Sequence, residues 1–331
     1  MHSRPAAFML FSTTANMDAL SLVIALYHIL ALFLVAKHLS SFLFNFLGAL
    51  YVHFIAKLIC KPVDLTTRYG KWAVITGASS GIGKYYALEL AKKGMNVVLI
   101  SKNLEKLKKV EEEIKQECEV ATIVIVADFT GGQEVYKKIW EDILDLEIGI
   151  LVNNVGALPR RAMRLEEAPV QQLWDMVMVN VGTATAMTHL ILPGMKYRGR
   201  GMIVNLSSAV HSGPCPYFSI YAAAKAYITS FTDAIRLECE GSGVEIQTLH
   251  PWYVRKDAKS EVTTSEGGTI CVPTAKLYAK HAVATLGVAH KTAGYWPHGV
   301  QDWIWKMMGD FMWAKCVQKT GEPYMTKTKA E

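Results

Sequence analysis

Hydrophobic positions fall into two patterns, a long apolar stretch near the N-terminus and shorter apolar runs that recur behind it. The long stretch covers residues 19–60 and contains the runs 20–36 and 42–56, separated by the polar segment 37-KHLSS-41. A membrane-spanning helix needs about 20 apolar residues. The pattern therefore predicts a membrane anchor over residues 1–60, made of one or two apolar helices.

The second apolar run contains Asn45 and His53, so it fits either a second span or an interfacial helix. The whole stretch is too long for a cleaved signal peptide, and no small-residue cleavage site follows it. Basic residues are concentrated behind the stretch, which predicts that the rest of the chain faces the cytosol. These residues are Lys57, Lys61, Arg68 and Lys71, against Arg4 in front.

The shorter apolar runs alternate with helical patterns. Near-continuous apolar strands are typical of a parallel sheet that is covered on both faces, and strand–helix alternation predicts a doubly wound α/β domain of Rossmann type. The domain is expected over residues 61–290, followed by an amphipathic C-terminal extension over residues 291–331. The predicted strands are Trp72–Thr76, Asn96–Ser101, Ala121–Ala127, Gly149–Asn153, Met202–Ser207 and Val244–His250.

A glycine-rich turn, 77-GASSGIG-83, follows the first predicted strand and precedes a predicted helix over Lys84–Lys93. Gly77 permits a tight turn. Gly81 and Gly83 would let the backbone and the helix N-terminus approach a pyrophosphate, which the helix dipole favours. The turn therefore predicts a phosphate cradle for a dinucleotide.

The end of the second predicted strand bears on the choice of dinucleotide. A carboxylate at this place would bind the ribose 2′-hydroxyl of NAD. Here the strand ends in Ser101 and Lys102, with no carboxylate. Lys102 therefore favours NADP(H), whose 2′-phosphate it would meet. The alternative is a surface lysine that opens the polar helix 103–117.

Composition narrows the possible partners. The chain is 51% hydrophobic with a net charge of +6, which fits contact with a membrane and with an anionic ligand. Its six cysteines form no C-x-x-C pair, so no metal site is predicted, and free thiols in a reducing compartment are expected. No basic stripe with interleaved aromatic residues is present, so nucleic acid is not an expected partner.

Five features occur in the order typical of the short-chain dehydrogenase/reductase family, which the chain resembles over about Trp72–Trp252. They are 76-TGASSGIG-83, 153-NNVG-156, Asn180, Ser208 and 221-YAAAK-225. More narrowly, the chain resembles the membrane-bound 17β-hydroxysteroid dehydrogenases of types 3 and 12, the second of which is also the very-long-chain 3-oxoacyl-CoA reductase. It is also similar to hydroxysteroid dehydrogenase-like protein 1.

The resemblance implies a catalytic set of Asn180, Ser208, Tyr221 and Lys225. Tyr221 and Lys225 are four residues apart, so on a helix they share one face. Tyr221 would exchange a proton with the substrate oxygen, and Lys225 with the positive nicotinamide would lower its pKa. Ser208 would hold the reacting oxygen, and Asn180 would position a relay water.

The resemblance also implies a set of cofactor contacts along the chain. Asn153 and Asn154 would lie above the adenine end, although Asn154 fits a bracing role in the sheet equally well. Asp128 would meet the adenine amino group, Gly156 would let the cofactor pass closely, and Val254 would hold the nicotinamide carboxamide. The full set is Gly77, Ser79, Ser80, Gly81, Ile82, Gly83, Lys102, Asp128, Asn154, Gly156, Tyr221, Lys225 and Val254.

One position departs from the family pattern P-x-x-V-x-T. The segment 251-PWYVRK-256 has Lys256 in place of the threonine that would hold the carboxamide, and a charged lysine accepts no hydrogen bond. Some hydroxysteroid dehydrogenase-like proteins are regarded as inactive, with the catalytic tyrosine replaced. Tyr221 is retained here and favours an active enzyme, whereas Lys256 favours a cofactor-binding protein with little turnover.

The resemblance implies a lipophilic substrate, either a steroid or a fatty acyl-CoA, beneath a lid over residues 252–273. The tail 299–316 carries apolar residues at helical spacing and fits either an interfacial helix or packing on the sheet. The end, 327-KTKAE-331, resembles a K-x-K-x-x retrieval signal. The expected location is the endoplasmic reticulum membrane, with the domain in the cytosol. The alternative is a mitochondrial membrane. Whether the protein forms a homodimer is left open.

Overall fold

The structure is a computed structural model, and it describes residues 6–55, 64–159, 161–255 and 269–326. Lys256, most of the expected lid and the terminal K-x-K-x-x segment lie outside the described residues. The chain divides into two compact units, Met1–Gly48 and Ala49–Glu331.

The described part of the N-terminal unit lies in one long helix, α1 (Ala6–Leu50), which is followed by a π-helical turn, Tyr51–Ile55. The polar segment 37–41 does not interrupt the helix, because it holds neither glycine nor proline and the Ser40 hydroxyl bonds back to the carbonyl of Lys37 (3.0 Å). The stretch Asp18–Gly48 is long and apolar enough to cross a membrane, and none of its most apolar window is buried.

A parallel sheet forms the centre of the C-terminal unit. Within the described residues it has seven strands in the order β3-β2-β1-β4-β5-β6-β7, and every neighbouring pair is parallel. The strands are β1 (Trp72–Thr76), β2 (Asn96–Ser101), β3 (Thr122–Val126), β4 (Ile148–Asn153), β5 (Gly201–Leu206), β6 (Val244–Leu249) and β7 (Lys291–Thr292). The predicted doubly wound α/β fold is confirmed, and each of the six predicted strands is found within one residue at either end.

Strand β7 was not predicted. It has only two residues, Lys291 and Thr292, and neither belongs to an apolar run. Its pairing with Thr248 and Leu249 of β6 is long-range, so no local pattern reports it.

Helices cover both faces of the sheet. They are α2 (Leu65–Tyr69), α3 (Gly81–Ala91), α4 (Leu104–Glu117), α5 (Glu134–Ile143), α6 (Val170–Val177), α7 (Thr183–Arg198), α8 (Ser219–Glu238), α9 (Ala275–Val283) and α10 (Trp296–Thr326). One core cluster packs α3, α4 and α9 on one face, and a second packs α5, α7 and α8 on the other. Along β1, Ala73 and Ile75 enter the first cluster and Val74 the second, as the period of two in a strand requires.

The C-terminal helix α10 has a buried side and an exposed side, and its backbone breaks at Gly309 (φ 71°). Asp302 and Trp313 are buried, whereas Ile304 and Met307 are exposed. The buried side of this helix therefore packs on the domain, one of the two expected arrangements. The other side is exposed and carries apolar residues.

The glycine turn joins β1 to α3 through a close approach of helix and strand. Gly77 has a φ of +68°, a left-handed conformation that favours glycine. A Cβ on Gly83 would lie 2.4 Å from the carbonyl oxygen of Gly77. Helix α3 begins at Gly81, three residues before the predicted start at Lys84, because this packing outweighs the poor helix propensity of glycine.

We expect Gly83→Ala to destabilise the protein by about 2–3 kcal/mol, because the added methyl group meets backbone that cannot move away. The matched control is Gly299→Ala on α10, where a Cβ would have nothing within 4 Å and the change should be neutral or slightly stabilising. Thermal unfolding of both variants measures the effect. Equal melting temperatures for the two variants would contradict the close-approach argument.

Candidate active site

A cleft of about 720 Å³ lies at the carboxyl ends of the central strands. The strand order reverses between β1 and β4, and open parallel sheets bind ligands at such a switch point. The cleft is lined by the glycine turn, Lys102, Asp128, Tyr221 and Lys225, together with other residues that follow the strands. Its volume is within the range of small-molecule and cofactor sites.

The glycine turn and the first turn of α3 form one end of the cleft. The N-cap residue Ser80 is extended, and its side chain makes no capping hydrogen bond among the described residues. The first backbone amides of α3 are therefore left to an anion. Beside them the hydroxyls of Ser79 and Ser101 are hydrogen-bonded at 2.9 Å. This arrangement fits a pyrophosphate group.

Asn154 braces the glycine turn against β4. Its side-chain amide donates to the carbonyls of Thr76 (2.8 Å) and Gly77 (3.3 Å), while its backbone amide donates to the Thr76 hydroxyl (3.0 Å). The sequence left open a bracing role and a cofactor contact for Asn154. These hydrogen bonds define the bracing role, and Asn154 also lines the cleft.

Asn153 is not placed as expected. It is buried, and its amide donates to Thr188 of α7 (3.1 Å) and to Asn205 of the neighbouring strand β5 (2.8 Å). It is also absent from the described lining of the cleft, so the expected position above the adenine end is wrong. The reason is the alternation of side chains along a strand, which sends Asn153 into the protein interior.

Lys102 and Asp128 lie at the ends of β2 and β3, and both are exposed and line the cleft. Asp128 accepts hydrogen bonds from the amide (3.1 Å) and hydroxyl (2.9 Å) of Thr130. The bond from the Thr130 amide is the main cause that lowers the pKa of Asp128, and the positive charge of Lys102 contributes. Lys102 is therefore a cation at the cleft edge with an anionic neighbour.

Tyr221 and Lys225 lie on one face of α8, as their spacing predicts. The ammonium nitrogen of Lys225 is 5.6 Å from the centre of the Tyr221 ring and donates to the carbonyl of Leu206 (2.8 Å). Lys225 is buried, and burial lowers its pKa to about 8. A buried cation at the inner end of the cleft suits ribose hydroxyls and an adjacent phenolate.

The hydroxyl of Tyr221 is influenced by two opposing effects. Burial, the larger of the two, raises the pKa of Tyr221, and a hydrogen bond with Ser208 lowers it. The nearby Cys215 adds to the rise. In the chain alone the phenol is therefore neutral at physiological pH, and the lowering by Lys225 and a nicotinamide remains a prediction.

Asn180 lies in a π-helical segment, Met178–Gly182, which joins α6 to α7. Its side chain is buried and donates to the carbonyls of Met176 (2.8 Å) and Ala157 (2.9 Å), while its oxygen accepts from the Ala157 amide (3.2 Å). Asn180 therefore ties the loop after β4 to this helix. Such π-helical insertions often occur at functional sites, but the relay role of Asn180 remains a prediction.

Three of the predicted site residues, Gly83, Asn180 and Ser208, are not part of the described cleft lining. The other predicted residues line it: Gly77, Ser79, Ser80, Gly81, Ile82, Lys102, Asp128, Asn154, Gly156, Tyr221, Lys225 and Val254. Gly83 packs against Gly77, and Asn180 donates to the carbonyl of Ala157, so both contact residues that line the cleft.

One wall of the cleft was not predicted from the sequence. It is formed by the helical run from α6 into the π-helical segment. The lining residues there are Gln172, Asp175, Met176 and Val179. Their spacing of three, one and three is that of one helix face. The sequence does show this helical periodicity. However, the same periodicity is expected whether the helix face lines a cleft or packs into the core.

A glycine turn at one end of an α/β cleft and a Tyr–Lys pair at the other are the arrangement typical of an oxidoreductase. The family model described as short chain dehydrogenase matches residues 71–267. The chain belongs to the short-chain dehydrogenase/reductase family.

Several proteins similar to this chain carry more specific names. A mouse (Mus musculus) protein named "Inactive hydroxysteroid dehydrogenase-like protein 1" is 39% identical over 91% of this chain and 89% of its own length. A very-long-chain 3-oxoacyl-CoA reductase of Anas platyrhynchos is 37% identical over 72% of this chain and 76% of its own length. A solved 7β-hydroxysteroid dehydrogenase structure is 25% identical, covers 77% of this chain and 100% of its own, and has a TM-score of 0.69.

The buried Lys225 predicts a pH-dependent stability. An unfolded lysine has a pKa near 10.5, so between pH 8 and pH 10.5 the unfolded chain binds more protons than the folded chain, and stability rises with pH. We expect Lys225→Met to stabilise the cofactor-free protein by about 2 kcal/mol at pH 7.5, after allowing for the unpaired Leu206 carbonyl.

The advantage of Lys225→Met should shrink as pH rises to 9.5. Thermal unfolding of both proteins at pH 7.5, 8.5 and 9.5 measures it. A difference that stays constant with pH would contradict the buried-cation argument.

Proposed function

We propose that this protein is an NADP(H)-dependent oxidoreductase that interconverts a ketone and a secondary alcohol on a lipophilic substrate at a membrane. The observation that carries the proposal is the placement of Tyr221 and Lys225 over the same cleft as the glycine turn and Lys102. Membership of the short-chain dehydrogenase family supports the oxidoreductase class.

The residues of the cleft fit a bound nicotinamide dinucleotide. The uncapped amides at the start of α3 suit the pyrophosphate, and the buried ammonium of Lys225 suits the nicotinamide ribose. A Cβ on Gly156 would lie 3.0 Å from the side-chain oxygen of Asn180 and 3.6 Å from the Lys225 nitrogen, so a larger residue would press on Asn180 at this end. The dinucleotide supplies hydride transfer when bound.

Tyr221 would donate the proton to the ketone oxygen in the reductive direction. Its phenol is protonated in the chain alone, so the proton is in place before the substrate binds. Ser208, hydrogen-bonded to Tyr221, would orient the same oxygen. The positive charge of Lys225 on the same helix face would stabilise the phenolate that remains.

Lys102 supports NADP(H) rather than NAD(H). It follows Ser101, at the end of β2, and lines the cleft where a 2′-phosphate would lie. The alternative, a surface lysine with no ligand, fits its exposure and the neighbouring charge of Asp128, so it is the position in the cleft lining that supports a ligand.

The substrate is proposed to be a steroid or a fatty acyl-CoA. The lining that the cleft shares with Tyr221 includes apolar side chains, among them Leu158, Met176 and Val179. A small groove continues from Met176 toward Met163 and Phe218. The names of the relatives include both a 3-oxoacyl-CoA reductase and hydroxysteroid dehydrogenase-like proteins. Both substrate classes are therefore proposed.

Helix α1 is proposed to anchor the protein in the endoplasmic reticulum membrane with the domain in the cytosol, a mitochondrial membrane being the alternative. The length and hydropathy of Asp18–Gly48 support a span. The exposed residues Val300, Ile304 and Met307 on α10 are proposed to contact the bilayer surface.

A second candidate function is a membrane-bound cofactor-binding protein with little or no turnover. The similarity to proteins named inactive favours it, and so does Lys256 at the position of the family threonine. A wild-type protein that binds NADPH but turns over no member of a panel of steroids and 3-oxoacyl-CoAs would establish this alternative.

We expect Tyr221→Phe to lower the rate of ketone reduction at least about a hundredfold with NADPH affinity retained, because the proton donor is removed and the ring remains. The matched control is Tyr227→Phe on the same helix, whose hydroxyl bonds Thr185 outside the cleft. NADPH oxidation on the substrate panel measures both. An active wild type with undiminished Tyr221→Phe activity would refute the assigned role.

We expect Lys102→Asp to reverse cofactor preference by weakening NADPH binding about ten- to a hundredfold, because a charge-assisted contact becomes a repulsion. NADH binding should be unchanged or improved. Lys109→Asp, an exposed residue on α4 with the same charge change, is the control. Titration of nucleotide fluorescence measures both affinities, and an unchanged NADPH/NADH ratio would refute the role of Lys102.

A further inference from the structure

The inner side of α10 packs against the loop that follows β6. This loop carries Pro251 and Val254, which line the cleft, with Trp252 between them. The Trp252 ring stacks on Trp305 (ring centres 5.9 Å apart, planes at 25°) and meets Trp313 edge-on (5.7 Å, 84°). Two tryptophans of α10 therefore fix the orientation of a side chain next to the cleft lining.

The backbone of the same loop is held by His298 of α10. The amide of Trp252 donates to Nδ1 of His298 at 3.3 Å, and the His298 side chain is completely buried. Burial lowers the pKa of His298 to about 4, so the imidazole is neutral at physiological pH and can accept this bond. Among the described residues, this bond is the one that satisfies the Trp252 amide.

Helix α10 also contacts the loop that carries Ser208. The Ala209 amide donates to the carbonyl of Pro251 (2.9 Å), which joins the serine loop to the loop after β6. Farther along, a Cβ on Gly213 would lie 2.8 Å from the Trp313 ring, so glycine is needed for this close approach. The two loops and the helix thus form one packed unit.

No residue of α10 is part of the described cleft lining. We infer that His298, Trp305 and Trp313 are positioning residues. They hold the Pro251–Val254 segment so that the nicotinamide half of the cofactor binds in register with Ser208 and Tyr221. This inference rests on the proposed function, and it extends the active site to a helix outside the described cleft lining.

Two probes distinguish the nicotinamide ring from the rest of the cofactor. NADPH carries the ring, whereas 2′-phospho-ADP-ribose keeps the adenosine, the phosphates and both riboses and lacks only the nicotinamide. The experiment measures the affinity of both probes for the full-length protein in detergent, together with the melting temperature, for wild type and variants.

We expect His298→Leu to weaken NADPH binding about three- to tenfold, the range for loss of one hydrogen bond, and to leave 2′-phospho-ADP-ribose binding unchanged. His298→Asn keeps an acceptor and should restore most of the NADPH affinity. Trp305→Leu, which removes a partly exposed ring, is the second variant and should behave as His298→Leu does. Met307→Ala, an exposed residue of the same helix, is the matched control.

Each outcome bears on the inference. A loss confined to NADPH, with rescue by His298→Asn, supports it. Equal losses for both probes, or no loss in either His298→Leu or Trp305→Leu, overturn it and leave the proposed function standing. A wild type that binds neither probe overturns the proposed function, and the inference with it.

Discussion

The structure of the site depends on the hydrogen bonds by which Asn154 joins two neighbouring strands. Its side-chain amide donates to the carbonyls of Thr76 and Gly77, at the point where the strand order reverses. A parallel sheet opens a crevice at such a point, so a fixed turn there fixes one end of the cleft. Gly83 lies so close to Gly77 and to the Asn154 side-chain amide that no side chain fits between helix and strand.

The end of the cleft that holds Tyr221 and Lys225 is built from groups that are unfavourable for folding. Lys225 is buried beside a backbone carbonyl, and Tyr217, just before α8, has a φ of 68°, which costs a non-glycine residue about 1 kcal/mol or more. The surrounding packing compensates for these costs. Thr229, Ser207 and the Lys225 carbonyl form hydrogen bonds beneath the lysine, so the backbone of α8 is held from below.

Strand positions followed from the sequence because buried parallel strands are continuous apolar runs, and the order of the motifs led to the family. Local patterns failed where long-range packing decides. The early start of α3 at Gly81 depends on contact with Gly77, and β7 exists only because Lys291 and Thr292 reach β6. The burial of Asn153 follows from its strand face, which the motif alone does not reveal.

The sequence by itself determined the apolar N-terminal helix, the glycine turn and the four-residue spacing of Tyr221 and Lys225, because each depends on neighbours within a few residues. Only the tertiary structure decided that Asn154 braces the turn and that Lys225 is buried against the Leu206 carbonyl. It also brought His298 into hydrogen-bond contact with the amide of Trp252, a residue forty-six positions earlier in the chain. Such contacts join residues that are distant in sequence, so only folding brings their chemistry together.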